Sequence, residues 1–181
     1  MRHYVFSILL FLPLLASAQV TMSGVLKAMP DSLLPYLTTN NRLDCIDFKE
    51  AGMKAEVRNQ FDGKTEMLAL TERYSSFQLS AAAKTDLLLL DAGSGQVVCV
   101  VTTYGAQLRE SCVEFYTPEW QSLPASEYID LPGYMFTAEI IPEEQALLIQ
   151  SVNTLDRPAM EDQKETPIQS IKLKWNGGKF K

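Results

Sequence analysis

Three cysteines and one short run of carboxylates are the residues of this 181-residue chain best equipped for chemistry. Cys45, Cys99 and Cys112 are the whole cysteine set. A two-residue turn at Gly105-Ala106 would bring Cys99 opposite Cys112 at a non-hydrogen-bonded position of a hairpin, where side chains lie closest. A cross-strand disulfide is then geometrically open, and such a bond is often strained and redox-labile. The other reading leaves all three as small buried hydrophobes. Cys45 has no partner in either case and is expected as a buried thiol on a helix.

Asp44, Asp47 and Glu50 recur every three residues. On a helix that spacing sets them along one side, as a pair of acid-base groups or a hard-cation site would need. It also describes the solvated face of an amphipathic helix, with Arg42 and Lys49 beside it to offset charge, and that is the reading adopted. A histidine-free hydrolase using two carboxylates stays open as the enzymatic alternative. Sequence spacing cannot find such a pair across separate strands.

Other chemistries lose their usual residues. The one histidine, His3, falls in a segment that reads as a secretory signal peptide over residues 1–18. Arg2 and His3 give a basic start, Tyr4 to Leu15 an apolar run, and Ala16-Ser17-Ala18 a small-residue cleavage site. A chain beginning at Gln19 has no histidine for a general base, a zinc ligand or a Ser-His or Cys-His pair. Gly93-Ser94-Gly95 makes a turn and does not extend to a nucleophile elbow. No Ser-x-x-Lys, phosphate-binding loop, Gly-x-Gly-x-x-Gly or Asp-x-Asp-x-Asp-Gly pattern occurs, so no cofactor, metal site or catalytic residue is assigned.

Without Arg2, 15 basic residues stand against 22 acidic ones, a formal net charge of −7. No basic stripe is available to neutralise phosphates, which argues against nucleic acid and against anionic lipid. No later segment is long and apolar enough to span a bilayer. The expected location is therefore exported, periplasmic or secreted, and soluble.

The elements that must position these residues begin with a brief helical turn near Asp31-Ser32. A helix follows over Arg42–Ala51, capped by Thr39-Asn40-Asn41 and stopped by Gly52. From Ala55 the pattern switches to strands: Glu56–Gln60, Lys64–Leu70, Tyr74–Ser80, Thr85–Asp91, Gln96–Tyr104 and Gln107–Tyr116. Leu87 to Leu90 form an unbroken apolar run, as in a strand buried on both faces. Pro118 to Gly133 is irregular, then Met135–Ile141 and Gln145–Val152 form a hairpin. A polar loop over 154–167 precedes a last strand, Ile168–Trp175. The expected architecture is a single α+β domain over 19–181, with short N-terminal helices packed on a large, mostly antiparallel β-sheet.

Within the irregular segment and just after it, Trp120, Tyr128, Tyr134 and Phe136 gather. They could line a binding groove or anchor a partner, or they could plug one end of the sheet core. The first reading makes the protein a non-enzymatic module that binds an envelope protein or a carbohydrate.

Met29-Pro30-Asp31-Ser32-Leu33-Leu34-Pro35-Tyr36-Leu37, Asn40 to Asp44, Leu87 to Leu90 and Ser111-Cys112-Val113-Glu114-Phe115-Tyr116, with Trp120 behind, also carry a likeness. In this order they resemble a family of exported proteins of unknown function from Bacteroidales-type bacteria. The resemblance implies an envelope location and supplies no catalytic residue.

Overall fold

Four consecutive leucines cannot all face one core in an extended strand, because successive side chains point to opposite sides. In a computed structural model, which describes residues 20–93, 95–152 and 169–181, this run is sandwiched between two cores. Leu87 and Leu89 enter one, Leu88 and Leu90 the other.

The helical layer comes first in the chain. α1 (Met22–Lys27) is capped by Thr21, and α2 (Thr39–Glu50) by Thr38, whose hydroxyl accepts from the Asn41 amide. A 3₁₀ turn at Asp31–Leu33 lies between them. Seven strands then form a simple meander, each antiparallel to its neighbour. They are β1 (Ala55–Arg58), β2 (Lys64–Leu70), β3 (Tyr74–Ser80), β4 (Ala83–Ala92), β5 (Gly95–Tyr104), β6 (Glu110–Tyr116) and the short β7 (Ser122–Leu123). After α3 (Ala125–Tyr128), β8 (Phe136–Ile141), β9 (Ala146–Ser151) and β10 (Ser170–Lys174) make a separate three-stranded sheet in the order β10-β9-β8.

The α+β class and the antiparallel sheet are as expected, with α1 as an extra helix. The hairpin near the C-terminus does not extend the large sheet. It turns over and covers that sheet's second face, which makes three layers. Met22, Val25, Leu26, Cys45 and Ile46 pack on one face of β2 to β5; Phe136, Ala138, Ile140, Leu147 and Ile149 pack on the other, against β4 to β6. The expected signal peptide, the loop over 154–167 and Ile168 lie outside the described residues.

Hairpin register overturns the disulfide. The β5–β6 connection runs from Gly105 to Arg109, not through a two-residue turn, and Cys99 stands opposite Phe115 while Cys112 stands opposite Thr102. Cys99 is buried in the core under the small sheet and Cys112 is exposed on the opposite face, so both are free thiols. Gly105 holds the longer loop: its φ is +106°, and a Cβ there would overlap the Leu108 carbonyl oxygen.

Arg42 is the second correction. It is 1% exposed, on the inward face of α2 with Cys45 and Ile46. Its Nε donates to the Leu26 carbonyl (2.9 Å), one terminal nitrogen donates to Asp31 Oδ1 (3.0 Å), and the other donates to the Met29 carbonyl. One buried guanidinium thus ties α2 to the end of α1 and to the 3₁₀ turn. The carboxyl of Asp31 is held below the usual carboxylate range, first by the Thr39 hydroxyl and then by Arg42.

Arg42→Met leaves the Met29 carbonyl without a donor and takes one of two from the Leu26 carbonyl, which keeps the Met29 amide, so urea unfolding should show a loss of about 1–3 kcal/mol. For Asp31, a lowered folded-state pKa means that its stabilisation is complete above the ordinary carboxylate range and fades as pH falls through the lowered value. Asp31→Asn should therefore flatten the acid limb of the stability profile below about pH 4, as read by the denaturation midpoint.

Candidate functional site

β6 lies inside the sheet for part of its length and at its margin for the rest. Along one side it pairs with β5 from Glu110 to Tyr116. Along the other, β7 engages only Phe115 and Tyr116. The Thr117 amide donates outward to Gln121. Backbone groups alternate sides along a strand, so Phe115, Val113 and Ser111 also direct their amides and carbonyls outward. On this outer side, no described strand pairs with Glu110–Glu114.

A groove of about 360 Å³ follows this free edge, lined by Tyr104, Glu110, Ser111, Cys112, Val113, Leu131 and Phe136. Side chains from both faces of one strand can share a cavity only where the cavity runs along its edge. Tyr104 and Leu131 expose 55% and 37% of their surface, so the groove offers apolar area to solvent.

Outside the groove's lining, an aromatic cluster packs on β6 at Phe115. Tyr128 stacks on Phe115 with centroids 4.9 Å apart and on Trp175 at 6.3 Å, while Phe180 meets Trp175 edge-on at 5.1 Å. The Phe180 amide donates to the Tyr128 carbonyl, and Lys179 Nζ donates to Asp130 Oδ1 at 2.7 Å. The chain's C-terminal residues thereby pin α3 and the segment after it beside β6. Ser111 Oγ completes the join by accepting from the Ala138 amide of β8 at 2.9 Å.

The four aromatic residues singled out in the sequence do not converge. Trp120 belongs to the helix-side core: it packs on Tyr116, and its indole N–H donates to the Val25 carbonyl at 2.9 Å. Tyr128 sits in the opposite core, Phe136 lines the groove from that side, and Tyr134 is exposed in the same segment. Tyr104, Glu110 and Leu131 were missed. Each is an ordinary strand or loop residue, and only the register of β6 brings them together.

The electrostatics of the groove suit binding better than nucleophilic chemistry. Burial, Glu114 and Glu110 all raise the Cys112 thiol above its usual range, which keeps it protonated near neutral pH. Burial and Glu114 likewise push the Tyr116 phenol up to about 12. Among the described residues, no group of three or more His, Cys, Asp or Glu could hold a metal ion. Asp44, Asp47 and Glu50 are exposed on α2 and do not line this groove. Glu50 borders a separate cleft with Thr21, Ser23, Leu70 and Glu72, where its carboxylate accepts from the Ser23 hydroxyl at 2.9 Å.

Placement separates structural from surface aromatics in a measurable way. Trp120→Ala removes a packed indole and its hydrogen bond, so it should cost about 3–5 kcal/mol in urea unfolding. Tyr134→Ala and Leu131→Ala should each cost under about 1 kcal/mol.

Among the described residues, no helix is long and apolar enough to cross a membrane. None of the curated proteins matches the chain. A solved domain of an uncharacterized protein from Porphyromonas gingivalis W83 is similar in fold, with a TM-score of 0.75 at 21% identity, over 87% of this chain and 95% of that one. The family model described as a protein of unknown function, DUF3256, matches residues 15–140, in keeping with the resemblance read from the sequence. Since that match spans more than half of the chain, the protein belongs to this family of unknown function.

Proposed function

We propose that this is an exported, non-enzymatic envelope protein, periplasmic or secreted, that binds another macromolecule along the outer edge of β6. The observation that carries the reading is the groove itself, which combines an unpaired strand edge with exposed apolar side chains. Unpaired edges are sites of aggregation, and proteins ordinarily blunt or cover them. An edge that is bare over Glu110–Glu114 and flanked by Tyr104 and Leu131 is one that a partner covers.

Export is supported by the signal-like residues 1–18. A protein partner fits better than a carbohydrate, because the edge offers alternating backbone donors and acceptors to another backbone. Asp44, Asp47 and Glu50 lie apart from the groove and lend nothing to the hydrolase alternative.

A photo-crosslinking residue placed at Leu131 or Tyr134 in intact cells should capture one dominant envelope protein. The same residue at Phe61, which is 63% exposed on the β1–β2 turn, should not. Equal capture at all three positions, or none at Leu131 and Tyr134, would remove the reading.

A further inference from the structure

We propose that the occupant of the groove is an extended segment of a partner protein that adds to β6 as a strand and presents Lys or Arg toward Glu110 and Glu114. This rests on the binding role just proposed and specifies its partner.

Charge sets the composition of the partner. Glu110, Cys112 and Glu114 occupy alternate positions of β6 and are all exposed on one face. Among the described residues neither glutamate is in an ion pair. Among the described residues Glu114 accepts only the Tyr116 hydroxyl, at 3.0 Å. The edge therefore carries two carboxylates without a cation, on a chain whose net charge is already −6. An added strand would set its own alternate side chains beside these carboxylates, and opposite charge there favours pairing.

The other face of β6 supplies the apolar half. Val113 belongs to the core under the small sheet, and Phe136 lies next to it at the groove. A strand that alternates basic and apolar residues would therefore meet carboxylates on one side and Val113 and Phe136 on the other. Its backbone would reach the outward amides and carbonyls of Ser111 and Val113.

A second copy of the chain fits this edge poorly. Two β6 strands related by a two-fold axis through Cys112 would place Glu110 of each opposite Glu114 of the other. Like charges directly opposite destabilise an antiparallel pair. In that register, centred on the bare segment, charge opposes self-pairing and favours a basic strand.

A fluorescein-labelled alternating Lys-Val octapeptide, measured by anisotropy against the protein at low salt, tests this. The peptide should bind, and its Glu-Val counterpart should not. The double variant Glu110→Lys/Glu114→Lys should reverse that preference, weakening Lys-Val binding by about tenfold or more. N-methylation of one alternate set of peptide amides should abolish binding, while methylation of the other set leaves it. Circular dichroism of the double variant, whose two substitutions are at exposed positions, confirms that it is folded. No binding of the Lys-Val peptide, equal binding of both peptides, or indifference to N-methylation overturns the strand assignment. In-cell capture at Leu131 that persists alongside such a result would leave the binding face standing and remove only its strand-pairing occupant. Loss of capture would instead overturn the binding role itself.

Discussion

Burial of β4 and β5 on both faces is the constraint from which the rest of the architecture follows. Leu87 to Leu90 alternate with Val97 to Val101 across the central hairpin, and all are at most 5% exposed. Each such side chain contributes roughly 1.5–3 kcal/mol by leaving water. A sheet with one solvated face would forfeit half of that, so two covering layers are required. The helices supply one and the β8-β9-β10 sheet the other. Neither cover is as wide as a seven-stranded sheet, and the margins are left to other devices. At β1 the margin is short and charged, with Glu56 between Lys54 and Lys64 at 2.7 and 2.6 Å. At β6 it is unpaired over Glu110–Glu114, with exposed carboxylates on one face and apolar groove residues beside it.

The two covers are fastened in different ways. On the helical side the fastening is polar and buried: Arg42 gathers Leu26, Met29 and Asp31, and the Trp120 indole reaches Val25. Every donor of the guanidinium that matters finds an oxygen, which is the condition under which a buried charge is tolerated. On the other side the fastening is aromatic, through Phe115, Tyr128, Trp175 and Phe180. That cluster brings the chain end back beside α3, and so the groove along β6 depends on residues about 70 positions away in sequence.

Much of this was legible in the sequence wherever the signal is local. The strand Tyr74–Ser80 has the bounds its alternation predicts, and the leucine run is buried on both faces as such runs require. Gly52 ends α2 in a left-handed conformation, as a C-terminal glycine should. The failures are all questions of long-range arrangement. Arg42 reads as solvent-facing because its charge is visible in sequence and its three carbonyl and carboxylate partners are not. The hairpin register failed because Gly105 is held by an approach to Leu108, which lengthens the loop to five residues and moves Cys112 away from Cys99. The aromatic residues of the irregular segment look like one group in sequence. In the fold, Trp120 and Tyr128 lie on opposite sides of the same sheet.

The candidate site was half legible. Phe136 and the segment leading to it were marked by composition, whereas Tyr104, Glu110 and Leu131 enter only through the pairing of β6. A free edge is a property of strand order, and hairpin patterns fix only neighbours. Both the binding role and its strand-pairing occupant require the outer side of β6 to be unpaired in the free protein. Residue-resolved amide hydrogen exchange measures this directly. Cys112 and Glu114, which face β5, should exchange slowly, while Ser111 and Val113 exchange orders of magnitude faster. Equal protection at all four amides would show that the edge is already covered, and would contradict the account.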